Sequence, residues 1–97
     1  MLQLTEKDQA LVDAILKKHI PRRHVVVFGS RTTPMVKPHS DLDLCILGKT
    51  PLSLYQLAQL RDAFAESALP MRVDIVDWAV ATPEFKNIIK QNAFKLR

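Results

Sequence analysis

The segment that most constrains this chain is residues 25–46, VVVFGSRTTPMVKPHSDLDLCI. Its first apolar run, three valines and a phenylalanine, predicts a buried strand that ends at Gly29 and Ser30. A ten-residue excursion follows, and then Asp41 and Asp43 alternate with apolar residues in a way that predicts a second strand. We interpret the segment as strand, tight turn, excursion and strand, with two acidic residues on the second strand.

Asp41 and Asp43 are predicted to point the same way, because residues two apart in a strand share a face, with Cα atoms about 6.5–7 Å apart. Leu42, Leu44 and Ile46 then form the opposite, apolar face. Two carboxylates on one face repel each other unless a cation lies between them, and hard oxygen ligands suit Mg²⁺. Two such ions about 3.5–4 Å apart can hold both the attacking and the leaving oxygen of a phosphoryl group.

The turn between the strands suits a phosphate. Gly29 has no Cβ, so its backbone can approach a ligand closely, and amides around Ser30 can bind phosphate oxygens. Arg31 follows directly and is the residue that we expect to contact phosphate. Lys37 and His39 would lie near the same phosphates, and we interpret His39 as a loop residue. Taken singly, a Gly-Ser turn or an Asp-x-Asp strand is also typical of an ordinary solvated surface.

The combination of Gly29-Ser30, ten residues and Asp41-Leu42-Asp43 resembles the signature of the polymerase-β-type nucleotidyltransferase superfamily. The small size of the chain is similar to that of its minimal nucleotidyltransferase (MNT) branch. The resemblance implies a metal-dependent enzyme that transfers a nucleoside monophosphate, AMP from ATP, to a hydroxyl group. It also implies a nucleotide site at Gly29, Ser30 and Arg31. The chain departs from the family pattern at Thr33-Pro34, where a small residue and a glycine are common, which leaves the loop geometry open.

A third acidic residue completes the resemblance. The run MRVDIVDW at 71–78 predicts a third strand, and alternation puts Arg72 and Asp74 on one face and Asp77 on the other. Asp74 falls on the side of the two earlier acids and matches the family's third carboxylate. The resemblance therefore implies that Asp74, with Asp41 and Asp43, binds two Mg²⁺ ions and carries the catalysis. Asp77, at the strand end, is predicted to be structural.

Helical periodicity predicts the remaining elements. An amphipathic helix over 5–19 ends before Pro21, a second helix runs to about residue 68, and a third begins at Thr82. The apolar stripe of the second helix is predicted to include Leu54, with Tyr55 and Leu60 partly off it; these two either face a partner or pack at the edge of the core. The predicted stripe comprises Leu54, Leu57, Ala58, Phe64, Ala65 and Ala68.

The order helix, strand, excursion, strand, helix, strand, helix predicts an α/β fold. We expect a small mixed sheet of three or four strands, with helices packed on one face and the acids on the other, in a polymerase-β-like nucleotidyltransferase architecture. The excursion is too short for a full crossover helix, which leaves the relative direction of the first two strands open. Ninety-seven residues predict a single domain, 1–97.

Composition narrows the possible partners and compartment. The net charge of +4 suits a nucleotide, nucleic acid or an acidic protein, although solvated helix faces explain each basic cluster equally well. Basic repeats interleaved with aromatic residues are missing, so we expect no direct nucleic-acid binding. The chain has one cysteine, no long apolar stretch and no apolar signal core, which favours a cytoplasmic protein without a membrane span.

A catalytic core of this size leaves no lobe for an acceptor, so we expect a partner or a second copy to supply it. The MNT resemblance implies a HEPN-family toxin as partner, in a hetero-oligomer where this chain is the antitoxin and AMP is transferred to a tyrosine of the toxin. One alternative is an antitoxin that neutralises a HEPN ribonuclease by binding alone. Another is a transferase acting on a small molecule, such as an aminoglycoside, which the short chain disfavours.

Overall fold

The computed structural model describes residues 2–34 and 40–97. The helices and strands follow the predicted order, with a fourth strand at the end. In chain order they are α1 (Glu6–His19), β1 (Val25–Phe28), β2 (Leu42–Ile46), α2 (Leu54–Ala65), β3 (Val73–Asp77), α3 (Pro83–Gln91) and β4 (Phe94–Lys95), with short 3₁₀ turns at Gly29–Thr32 and Trp78–Val80. Among the described helices, none has the length and hydropathy needed to cross a lipid bilayer.

Side-chain caps determine where each helix begins. The Thr5 hydroxyl accepts a hydrogen bond from the Asp8 amide at the start of α1, and the Thr82 hydroxyl accepts one from the Phe85 amide at the start of α3. At α2, the side chain and amide of Ser53 form a capping box with Gln56. Each cap satisfies amides that have no partner within their own helix. The starts predicted for α1 and α3 are therefore confirmed to within one residue.

The four strands form one mixed sheet in the order β3-β2-β1-β4. Strand β1 is antiparallel to both β2 and β4, whereas β2 and β3 are parallel and are connected through α2. The direction of the first two strands, open from the sequence, is therefore antiparallel. A short excursion joins antiparallel neighbours, whereas parallel neighbours need a crossover such as α2.

The main core lies between helices α1 and α2 and one face of the sheet, which we call the dry face. Leu42, Leu44 and Ile46 of β2 are all fully buried there, as predicted. Helix α1 contributes Val12 and Leu16, and helix α2 contributes Leu60 and Phe64.

The prediction for the apolar stripe of α2 was wrong at five positions: Leu60 is buried, and the predicted stripe residues Leu54, Ala58, Ala65 and Ala68 are exposed. Leu60 is fully buried, whereas Leu54 is 87% exposed. The buried stripe is Leu57, Leu60 and Phe64, with helical spacings of three and four. Leu54 directly follows the capping residue, so it lies in the first turn, beyond the edge of the core.

Helix α3 packs on the opposite face of the sheet, where its Ile89 meets Phe28 and Cys45 in a second apolar cluster. The Phe28 and Phe85 rings meet edge to face, with centroids 5.8 Å apart. Helices on one face are therefore confirmed for α1 and α2, but α3 shares the face of the acidic residues. The physical reason is that Phe28 and Cys45 alternate onto this face and need apolar cover. We call it the acid-bearing face.

Candidate active site

Strands β2 and β3 bring the three predicted acidic residues to one place. The parallel register pairs Asp43 directly with Asp74, and Asp41 precedes β2 by one residue. By alternation Asp41, Asp43 and Asp74 lie on the acid-bearing face. Asp43 and Asp74, which are 31 positions apart in the sequence, thus become neighbours only through the pairing of the two strands. They lie at the end of β1, where Phe28 pairs with Asp43.

Asp43 is the electrostatic centre of this group. Its pKa is raised above the ordinary value of 3.8, first because the carboxyl group is partly buried, and then because Asp74 and Asp41 bring negative charge close to it. Arg72 opposes these effects and lowers the pKa of Asp43. The carboxylate is therefore held in a setting that favours an added positive charge.

Arg72 provides a positive charge from within the chain. Its guanidinium donates to Asp41 Oδ2 at 2.9 Å, and its Nε lies 3.7 Å from Asp74 Oδ1. These carboxylates raise the pKa of Arg72, with the hydrogen bond to Asp41 as the largest cause. The Arg72 side chain is 74% exposed, so solvent screens the pairs and leaves the arginine free to move aside. Sequence reasoning placed Arg72 on this face but gave it no role; its position two residues before Asp74 was the available signal.

Gly29 is required by the acidic site itself. Its φ of +79° lies in the left-handed region, and a Cβ at this position would collide with the Asp43 carboxylate. The sequence predicts that a ligand approaches the Gly29 backbone closely, and in the structure the Asp43 side chain lies against this backbone. Ser30 follows in the exposed 3₁₀ turn, next to this contact.

The turn after β1 is closed by two threonines. The Thr32 hydroxyl donates to the Gly29 carbonyl at 2.7 Å, and the Thr33 hydroxyl donates to the Ser30 carbonyl at 2.9 Å. Thr33, one of the two departures from the family pattern, therefore stabilises the turn that carries Gly29 and Ser30.

Arg31 differs from its predicted geometry. It is buried, with 8% exposure, and its guanidinium donates to backbone carbonyls: to Ser40 at 3.0 and 2.8 Å and to Gln3 at 3.0 Å. The Gln3 amide donates back to the Arg31 carbonyl. This geometry favours a positioning role, which ties the N-terminal segment to the residue before Asp41, over the predicted contact with phosphate. The sequence hid this role because Gln3 is 28 residues away.

Asp77 is structural, as predicted. Its carboxylate accepts hydrogen bonds from the Leu52 amide at 2.8 Å and the Ala79 amide at 3.2 Å. It therefore joins the segment before α2 to the turn after β3. The predicted roles of Lys37 and His39 fall on residues outside those that the structure describes.

The acidic group fits a hard divalent cation by its chemistry. It consists of carboxylate oxygens on two adjacent strands, and their mutual repulsion is relieved by one exposed arginine. Within the described residues, no three His, Cys, Asp or Glu side chains lie close enough together to hold an ion as they stand. An ion held by all three carboxylates would require these side chains to move closer together, with Arg72 moved aside.

Comparison with known proteins identifies the family of the chain. Residues 11–95 match the family described as Polymerase beta, Nucleotidyltransferase. The chain is 40% identical over 90 residues to the probable protein adenylyltransferase MntA of Haemophilus influenzae, covering 93% of this chain and 79% of the relative.

Solved structures share the fold. A toxin–antitoxin structure with AMP-PNP superposes with a TM-score of 0.78 at 24% identity, over 93% of this chain and 73% of that one. A tri-AMPylated HEPN toxin of Shewanella oneidensis in complex with its MNT antitoxin gives 0.71 at 23% identity, over 92% and 68%. By family match and by identity to MntA, the chain belongs to the polymerase beta nucleotidyltransferase family.

Proposed function

We propose that this protein is a metal-dependent adenylyltransferase that moves AMP from ATP to a hydroxyl group, a tyrosine of a HEPN-family toxin, and so acts as the antitoxin of the pair. The observation that carries the proposal is the register of β2 and β3, which sets Asp43 beside Asp74 on the face of Asp41. The MntA relative named as a protein adenylyltransferase supports the reaction. The complex of an AMPylated HEPN toxin with an MNT antitoxin supports the acceptor and the partner.

Each acidic residue has a separate role in the proposal. Asp41 and Asp43 would bind Mg²⁺, and Asp74 would complete a second Mg²⁺ site beside Asp43. Bound Mg²⁺ would supply charge stabilisation at the α-phosphate and at the leaving oxygen. Asp74 would also accept the proton of the acceptor hydroxyl. The hydroxyl oxygen bonds to the α-phosphorus, the bond from that phosphorus to the bridging oxygen breaks, and pyrophosphate leaves.

The turn after β1 would hold the nucleotide phosphates. Gly29 and Ser30 lie directly beside Asp43, and Ser30 is exposed. In this proposal Arg31 is a positioning residue, which stabilises the site through its hydrogen bonds to the Gln3 and Ser40 carbonyls. Phosphate binding therefore falls to Ser30 and to the backbone of the turn.

The acceptor is proposed to come from a second protein. The described residues are taken up by one sheet and the helices that cover it, and the acid-bearing face is open at the carboxylates. The single domain 1–97 would therefore act within a hetero-oligomer. The reduced, fully buried thiol of Cys45 is compatible with a cytoplasmic location.

A second candidate is an antitoxin that neutralises its partner by binding without catalysis. Arg72 favours it, because this residue already pairs with Asp41 and approaches Asp74 where a metal would bind. The departure at Pro34 points the same way, whereas Thr33 stabilises the turn that carries Gly29 and Ser30.

One experiment separates the two functions. The purified chain is incubated with the HEPN-family protein encoded beside it, labelled ATP and Mg²⁺, and mass spectrometry is used to detect an AMP adduct on a tyrosine. The matched control is the variant Asp41→Asn/Asp43→Asn, which keeps side-chain size. An adduct that the control loses would establish the adenylyltransferase. No adduct, with neutralisation intact in the control, would establish the binding-only antitoxin.

A further inference from the structure

A groove crosses the acid-bearing face at the end opposite the carboxylates. It consists of two adjoining cavities of about 600 Å³ and 420 Å³, which share Val26, Leu47, Gly48 and Lys49. We call it the basic groove. Leu47 lies four residues after Asp43, about 13 Å from the acidic site along β2.

The rim of the basic groove is cationic. It is formed by Arg22, Lys49, Lys90 and Lys95, all of which are exposed. Among the described residues that line the groove, none is acidic, and within the described part of the chain none of these four side chains forms an ion pair. A concentration of positive charge without acidic neighbours attracts an anionic ligand.

The wall of the groove is fixed by Arg23. Its guanidinium donates to the Leu47 carbonyl at 3.1 Å and to the Thr50 carbonyl at 2.6 Å. Gly48 lies beneath it with a φ of +145°, and a Cβ there would collide with the guanidinium. The loop after β2 is therefore held in one shape, which lowers the ordering cost of binding.

The floor is apolar and favours a peptide over nucleic acid. It is made by Val26, Leu47, Ile89 and Trp78. The ammonium groups of Lys86 and Lys90 lie 5.0 and 5.7 Å from the centre of the Trp78 ring. Bases bind single-stranded-binding proteins by stacking on open aromatic faces, and here lysines already cover the ring. An aliphatic floor instead suits the apolar side chains of a peptide.

We propose that the basic groove docks an acidic segment of the acceptor protein, in which carboxylates flank apolar side chains, and so brings the acceptor hydroxyl to Asp41, Asp43 and Asp74. This inference rests on the proposed function for the identity of the acceptor. The cationic rim favours an acidic segment by charge complementarity. Because the groove and the carboxylates lie on the same face, a partner docked in the groove is held near the acidic site. A partner bound in the groove has to pass over α3, whose Ile89 covers Cys45, to reach the carboxylates about 13 Å away along β2.

The test is charge reversal in the groove, Lys49→Glu/Lys95→Glu, against a matched reversal outside it, Lys7→Glu/Lys17→Glu. Both pairs are exposed and change the net charge equally. Lys7 and Lys17 lie in the first and last turns of α1, so their effects on the helix dipole oppose each other. Thermal unfolding checks that both variants fold, and Lys49→Gln/Lys95→Gln serves as a milder pair.

Calorimetry then measures the affinity for the HEPN-family partner at two salt concentrations. We expect the groove reversal to weaken binding at least about tenfold and the control reversal less than about twofold. Salt should weaken wild-type binding more than binding of the groove variant. AMP-transfer kinetics should show a raised KM for the partner and an unchanged kcat.

Two results would overturn the docking assignment. One is equal partner affinity in wild type and groove variant, with AMP transfer intact, which leaves the proposed function standing. The other is tight binding of a labelled 12-nucleotide single-stranded RNA that the groove reversal abolishes while partner binding stays unchanged. A third result separates the two proposals. If the groove reversal weakens partner binding but the wild type transfers no AMP, the proposed adenylyltransferase function is refuted and the docking of the partner in the basic groove is supported.

Discussion

The two faces of the sheet use the same strands for opposite purposes. On the dry face, Leu42, Leu44 and Ile46 are completely buried under α1 and α2. On the acid-bearing face, α3 covers only the middle, around Cys45, and leaves like charges at both ends: carboxylates near Asp43 and cations near Lys49. One face therefore stabilises the fold, whereas the other carries exposed charge at both of its ends.

The largest expected effect is on the dry face. Leu44→Ala should lower the free energy of unfolding by about 2–5 kcal/mol, because it removes a fully buried side chain and leaves a cavity. Urea unfolding followed by circular dichroism measures the loss. Transfer activity per folded molecule should stay near the wild-type value, and a loss of activity without a loss of stability would contradict the division between the faces.

On the other face, Asp43→Asn should lower the transfer rate at least about 100-fold. Mutation of a residue that only hydrogen-bonds to a metal ligand already lowers metal affinity or activity about 10–100-fold. Its stability without metal should rise. The folded-state pKa of Asp43 is raised, so wild-type stability falls as pH rises from 3.8 through that raised pKa, and the variant lacks this fall. Thermal unfolding in EDTA over this pH range tests the sign.

Asp77→Asn is the opposite control. It weakens the hydrogen bonds to Leu52 and Ala79, so it should lower stability while activity per folded molecule persists. A more stable Asp77→Asn protein, or a less stable Asp43→Asn protein, would contradict the assignment of Asp77 to stability and of Asp43 to activity.

A pair of glycine variants sharpens the comparison within the acid-bearing face. Gly29→Ala and Gly48→Ala both place a Cβ at positive φ, and each should cost about 1–3 kcal/mol of stability. Only Gly29→Ala displaces the Asp43 carboxylate, so only this variant should lose transfer rate after correction for folding. Equal rates in the two variants would argue against a functional contact between Gly29 and Asp43.

The smallest effect is expected at Arg72. Arg72→Gln removes the cation that pairs with Asp41, so Mg²⁺ affinity without nucleotide should increase about two- to fivefold, the range of an exposed ion pair. The pKa of Asp43 should rise further, because Arg72 lowers it. Calorimetric Mg²⁺ titration measures the first effect, with Arg61→Gln on α2 as control. Weaker Mg²⁺ binding would mean that Arg72 supports the ion instead of competing with it.

Strict periodicities made most of the fold predictable from the sequence. The two-residue period of strands placed Asp41, Asp43 and Asp74 on one face and separated Asp77 from them. Capping residues located the starts of α1 and α3. The direction of β1 relative to β2 and the pairing of Asp43 with Asp74 required the structure, because register depends on contacts between distant segments.

Sequence reasoning missed the contacts that distant parts of the chain provide. Arg31 looks like a phosphate ligand beside Ser30, but Gln3 and Ser40 provide carbonyls for its guanidinium. Leu54 and Leu60 differ in burial because Leu54 lies in the first turn of α2, beyond the edge of the core, whereas Leu60 packs in it. Helix α3 lies on the acid-bearing face because Phe28 and Cys45 leave apolar surface there.

The parallel pairing of β2 with β3 also couples formation of the core to assembly of the acidic site. A slip of one residue would turn Ile75 away from the core and Asp74 away from Asp43 in the same event. A slip of two would keep the faces but set Arg72 or Val76 beside Asp43 instead of Asp74. A chain whose β2–β3 register has slipped would therefore lose the pairing of Asp43 with Asp74 on which the candidate site depends.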